Sequence, residues 1–302
     1  MRGPRFDRIV PLVTLVLVGL GVVFLLELNT QLLVVNLGEN LPTFSIAWPL
    51  IGVLALVTGI GVELIARSYS KLYASGWVTT VGFGQRMIEL ALPLWVVPAL
   101  TPIAMFAFFR LFKGGLQTNA YLLVLVATAL LLLVLLSAQH YLIEGDAQAR
   151  RTARNVQSVV AYALMFAIFS VITFNRYRTL YALLLVFPST LLLAADLLRN
   201  RAPALWLTAA GVALVLVESY WALNYWPSSF WLNSAALLVI FYVLIGLIQG
   251  ANESAADVQE PIQAGLTRRV LLEYGLLGSG ALIALAIATA VLRARNIDLR
   301  GP

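Results

Sequence analysis

The sequence predicts an all-α fold, a polytopic transmembrane helix bundle of about nine spans. Composition is the first reason: 61% of the 302 residues are hydrophobic and only 11% are charged, against about 25% charged in an ordinary soluble domain. Length is the second. Apolar stretches of the ~20 residues needed to cross a ~30 Å hydrocarbon core recur nine times. The connections between them, too short to fold alone, are the third. A mean hydropathy of +0.91 agrees.

The spans are expected at 9–29, 46–66, 87–109, 118–138, 156–175, 178–198, 204–224, 231–249 and 270–292. The first follows Arg2, Arg5 and Arg8 and looks at its start like a signal peptide. Its apolar run is about twenty residues long, however, and ends in Leu-Glu-Leu-Asn-Thr-Gln with no small-x-small cleavage site, so it reads as a retained helix. The third holds Pro93, Pro98 and Pro102. Each proline removes a backbone donor, so this helix is expected to bend or break, with its freed carbonyls needing other partners. Pro188, beside Ser189 and Thr190, marks a second expected kink. Gly275, Gly278 and Gly280 give the last span a small-residue face for close packing, within the chain or against another membrane subunit.

Sorting the basic residues into alternate loops puts thirteen on the side of the N-terminus and seven on the other. Cytoplasmic loops keep the excess of Lys and Arg, so the N-terminus is expected inside and the C-terminus outside. Among the inner connections, 67–86 mixes Tyr69, Tyr73, Trp77 and Phe83 with Ser and Gly, as suits the headgroup level. Residues 144–154 read as a polar continuation of the fourth helix, and 252–263 as an acidic, Pro-interrupted, mobile loop. Tyr225, Trp226, Phe230 and Trp231 form an aromatic belt at the outer interface.

Acidic residues inside spans are the best functional pointers, since a charge in hydrocarbon is costly. Glu63, Glu89, Asp196 and Glu273 fall near the inner interface. Glu63 with Arg67, Arg86 with Glu89, and Asp196 with Arg199 are spaced three or four apart, as interfacial ion pairs on one helix face. Glu27, near the outer end of the first span, reads the same way. Glu218 differs, lying ~21 Å into the seventh span. With Tyr220 it forms the candidate intramembrane polar site. His140, the single histidine, reads as solvated at the interface, with Glu144 at i+4 as the nearest co-ligand for a metal.

The absence of cysteine excludes disulfides, thiolate chemistry and Cys-type zinc sites. The chain carries no protease signature of the Gly-x-Ser-x-Gly or His-Glu-x-x-His kind, and Gly82-Phe83-Gly84 lacks the third glycine of a phosphate loop. The basic residues form no patch for nucleic acid. No catalytic residue, cofactor or metal is therefore expected. The partners expected are membrane lipids and other membrane subunits.

The second span leaves the membrane as Glu63-Leu64 with Arg67, and the sixth as Asp196-Leu197 with Arg199. In these two helix ends the chain resembles uncharacterised bacterial multipass membrane-protein families, whose even-numbered helices end in an acid followed by Leu and Arg. The resemblance implies a multi-pass protein and no activity. The chain reads as one membrane-embedded domain, 1–302, and the same echo suggests within it a duplication of 1–155 in 156–250 with a final helix at 270–292. The expected function is non-enzymatic: a structural, assembly or accessory subunit of the inner (cytoplasmic) membrane. The alternative is a small-molecule or ion transporter using Glu218 and the proline-kinked third helix.

Overall fold

The computed structural model describes residues 4–28, 34–35, 44–73, 77–83, 86–112, 117–175, 179–199, 205–226, 228–256 and 264–294. Nine α-helices run through these described residues: α1 (Phe6–Leu28), α2 (Ala47–Ala66), α3 (Leu92–Phe109), α4 (Gln117–Glu144), α5 (Ala147–Phe174), α6 (Thr179–Leu197), α7 (Leu205–Asn224), α8 (Phe230–Ala256) and α9 (Ala264–Ala294). Eight of them, α1 to α8, are long and apolar enough to cross a membrane. In α9 the apolar stretch is shorter, Tyr274–Ile287. The chain is thus a polytopic transmembrane helical protein. Its minor elements are two antiparallel hairpins, β1 (Val34–Val35) with β2 (Phe44–Ser45) and β3 (Thr79–Phe83) with β4 (Arg86–Leu90).

Three boundaries differ from the sequence expectation. Residues 87–90 belong to β4, so α3 begins at Leu92. Pro93 then falls in the first turn, where a missing N–H leaves no hydrogen bond unmade, and it marks a helix start rather than a kink. Residues 144–154 do not prolong α4. Gly145 ends that helix, its N–H bonded to the Tyr141 carbonyl, and Asp146 caps the next by accepting the Ala149 N–H at 2.7 Å. The polar arginine-bearing segment is therefore the first part of α5, a helix of 28 residues. Asn252 to Ala256, expected in a loop, continue α8. The remainder of the expected loop, 257–263, lies outside the described residues.

The chain divides into two compact units, Met1–Leu164 and Met165–Pro302. In the first, α1 packs on α2 and α4, α2 on α3, and α3 on α4, closing a four-helix ring. Its core holds Leu20, Phe24, Ile51, Leu94, Phe106 and Leu132, all essentially sealed. An aromatic knot ties the four helices at one end. The Phe24 ring lies 4.7 Å from Phe109 and 5.2 Å from Tyr121, and Trp48 meets Phe106 edge-on at 5.5 Å. Leu12 of α1 seats over Gly61 of α2, a contact that any larger residue at 61 would displace.

In the second unit α6 packs on α7, α7 on α8, and α8 on α9. The end of α5 meets the start of α8, where the Thr173 and Ser234 hydroxyls bond at 2.7 Å and Phe174 meets Phe230 edge-on. The Gln249 amide of α8 donates to the Leu197 carbonyl at the end of α6, at 3.0 Å. Between α8 and α9 the fit is reciprocal: Tyr274 rests on Gly246, and Val243 rests on Gly278. Gly275 and Gly280 face open space. The expected three-glycine face is thus divided, because positions 275, 278 and 280 point in three directions around a 3.6-residue helix.

Candidate functional site

Glu63 is the hub of the first unit's polar chemistry. It sits one turn before the end of α2 and is buried, 6% exposed. One carboxylate oxygen accepts the Arg67 Nε at 2.8 Å, along the i,i+4 face of the helix. The other accepts the Ala91 backbone N–H at 2.9 Å and the Trp95 indole N–H at 3.0 Å. Ala91 is the N-cap of α3, so the carboxylate also lies at the positive end of that helix. Gly59, one turn earlier on α2, leaves the space that the Trp95 ring occupies. Arg67 extends the network by donating to the Glu89 carbonyl of β4 at 3.0 Å. Pairing with Glu63 holds its guanidinium above the usual arginine pKa.

Pro98 removes the N–H that would bond the Leu94 carbonyl, and that carbonyl accepts instead from the Gln139 amide of α4 at 2.7 Å. With this replacement α3 runs as one continuous α-helix from Leu92 to Phe109. The expected break at Pro98 and Pro102 does not occur.

Next to Gln139, His140 is 2% exposed. It is a core residue, not the solvated interfacial one expected, because the ring packs 5.2 Å from Tyr69 and 5.1 Å from Tyr141. Glu144 turns elsewhere and accepts from the Ser70 N–H at 3.2 Å. Among the described residues no cluster of three His, Asp or Glu is arranged to hold a metal ion. The Tyr69 hydroxyl is buried and has no hydrogen-bond partner among the described residues. Burial, and secondarily the charge of Glu144, push its pKa up to about 12.

The other expected pairs fare differently. Arg86 and Glu89 both lie on β4, a strand and not a helix. Neither residue therefore lies on a helix face; Glu89 is exposed, and the Arg86 side chain is outside the described set. Asp196 stands on the last turn of α6 and Arg199 just beyond the helix. Burial pushes the Arg199 guanidinium down to about 10, against the opposing pull of Asp196. Glu273 lies on α9, its side chain outside the described set.

Glu218 and Tyr220 share α7 but not a site. Tyr220 is buried, with Ala209, Val212, Ala213 and Leu216. Glu218 is exposed on the opposite side, as two residues at 100° each require. A cavity of about 330 Å³ in the second unit, lined by Ser219, Asn233, Leu282 and Thr289 among others, opens beside the next residue.

Glu27, expected to act as an interfacial ion-pairing acid, has a partner that the sequence did not name. Glu27, 2% exposed, pairs with Arg110 at 3.0 Å, and the Arg110 guanidinium lies 5.6 Å from the Trp48 ring centre. These three residues come from α1, the turn after α3, and α2. Nothing in local spacing joins them. The only sequence signal was a Glu and an Arg at the same membrane surface.

No curated protein and no solved structure matches the chain. A family model described as "Protein of unknown function (DUF5656)" matches residues 26–288, the greater part of the fold just described, and the chain belongs to that family.

Proposed function

We propose that this protein is a non-enzymatic accessory or assembly subunit of the inner membrane, oriented with its N-terminus inside by the excess of Lys and Arg there. The observation that carries the reading is how its membrane-depth acids are used. Glu63 and Glu27 are buried and engaged by donors from their own unit, which fixes neighbouring helices. Glu218 alone of the three is presented outward, on a helix face that otherwise suits apolar neighbours. Internal acids serve architecture, and the outward one serves recognition. Lipids and other membrane subunits are the corresponding partners.

Purification in mild detergent, followed by mass spectrometry of whatever accompanies the chain, tests this. A stoichiometric membrane partner is the expected result. A monodisperse single chain that transports solute in vesicles would overturn it. The cavity beside Ser219 is the observation favouring that second reading, a small-molecule or ion permease. On that reading Glu218→Gln lowers uptake and leaves the protein folded.

A further inference from the structure

α7 buries one side and leaves the other bare. Leu207, Gly211, Leu214, Glu218 and Trp221 are all exposed, and they are spaced four, three, four and three apart. That alternation averages 3.5 residues and keeps all five on one stripe, the seam by which one helix packs along another. The stripe is prominent: Leu207 is 76% exposed and Leu214 54%. At Gly211 an added Cβ would meet nothing within 4 Å, so the seam has a vacant notch one turn from its centre.

Lipid alone would suit the leucines and the tryptophan, but it does not suit Glu218. The residue lies six positions before the end of α7, ~9 Å along the axis from the nearer helix end. Helical side chains lean toward the N-terminus, which for α7 is the farther end. The carboxylate therefore starts out directed away from the nearer surface, and reaching that surface means doubling back along the helix. None of the described residues donates to it, and α7 contains no Lys or Arg. A second copy packed along the same seam would bring a like carboxylate and no cation. What complements the stripe is an apolar helix with one cation at that level.

We infer that the α7 stripe bearing Glu218 docks a transmembrane helix of another protein carrying a single basic side chain at that depth. The inference rests on the accessory-subunit reading and names its partner's chemistry. The Glu–cation pair supplies register and selectivity, while Gly211 and the flanking apolar residues supply close packing.

The chain has no cysteine, so Asn224→Cys gives a unique thiol for a dye at the end of α7. The probes are two leucine-rich transmembrane peptides, identical except for Lys or Leu about six residues from one end. Each is mixed with the labelled protein in phosphatidylcholine vesicles and followed by energy transfer. The Lys peptide is expected to associate about tenfold more tightly. Glu218→Gln should abolish that preference, and Gly211→Leu should weaken both peptides.

Equal binding of the two peptides, no binding of either, or a Lys preference that survives Glu218→Gln would each overturn the inference. So would peptide-independent transfer between protein copies that disappears in Glu218→Gln, which makes a second copy the occupant. The broader reading is tested separately by co-purification. A partner that stays bound to Glu218→Gln sinks the seam and leaves the accessory role, whereas solute uptake with no partner sinks the role whatever the peptides do.

Discussion

Glu63 accepts three hydrogen bonds from three different donors, and Arg67, Ala91 and Trp95 all lose a partner if the carboxylate goes. Arg67 is half exposed and can turn to water. The Ala91 and Trp95 N–H groups lose their acceptor at about 1–3 kcal/mol for a buried donor, so Glu63→Leu is expected to lower the detergent melting temperature. Glu63→Gln, which retains one acceptor oxygen, should fall between it and the native chain. Tyr69 makes the opposite case. Its buried hydroxyl has no partner among the described residues, so Tyr69→Phe should be neutral or stabilising by up to about 1 kcal/mol. The fold holds this phenol protonated, with its pKa raised from 10.0 to about 12. The group's contribution to pH-linked stability is complete below pH 10 and lost as pH rises toward 12. Melting curves across that alkaline window should therefore flatten in Tyr69→Phe. At this scale the sequence disclosed the Glu63–Arg67 pair because both ends lie on one helix turn. Trp95 and Ala91 were illegible because they arrive from another element.

At the scale of elements, a proline inside α3 is tolerated because α4 supplies what it removes. Gln139→Leu leaves the Leu94 carbonyl buried without its replacement donor, a loss of about 1–3 kcal/mol. Pro98→Leu in that background restores an N–H to the helix and should recover most of the loss in thermal unfolding. In the native background Pro98→Leu gains less, since the Gln139 amide then competes for the same carbonyl. The α8–α9 contact gives a second test. A methyl at Gly246 would collide with the rigid Tyr274 ring, whereas Gly280 faces open space. Gly246→Ala should destabilise by about 1–3 kcal/mol, and Gly280→Ala, which meets no neighbour and favours the helix, should leave the melting temperature unchanged or raise it slightly. The hydrophobic pattern that located α3 also drew in 87–90, because Met, Ile and Leu are as apolar in a strand as in a helix. Pairing with β3, remote from any helical period, decided between the two.

For the whole molecule, the number of crossings sets the relation of the termini. α1 to α8 meet the length and apolarity of a span, and α9 has a shorter apolar stretch inside a helix of 31 residues. If α9 crosses, the termini lie on opposite sides. Reporter fusions before Phe6 and after Ala294 are expected to report the N-terminus inside and the C-terminus outside, following the basic bias. Reporters in one compartment would mean that α9 lies along the surface or between neighbours.

Sequence alone determined that the chain is helical and membrane-spanning, because the bilayer imposes a length and an apolarity that are read locally, residue by residue. It also marked which polar groups sit at membrane depth, since each stands out against an apolar run. Only the tertiary structure decided which of them are used up. Burial joins residues as distant as Glu27 and Arg110, or Leu94 and Gln139, while the 100° step of a helix separates neighbours as close as Glu218 and Tyr220. Side-chain direction and the arrival of partners from other helices are properties of packing, and no spacing along the chain encodes them.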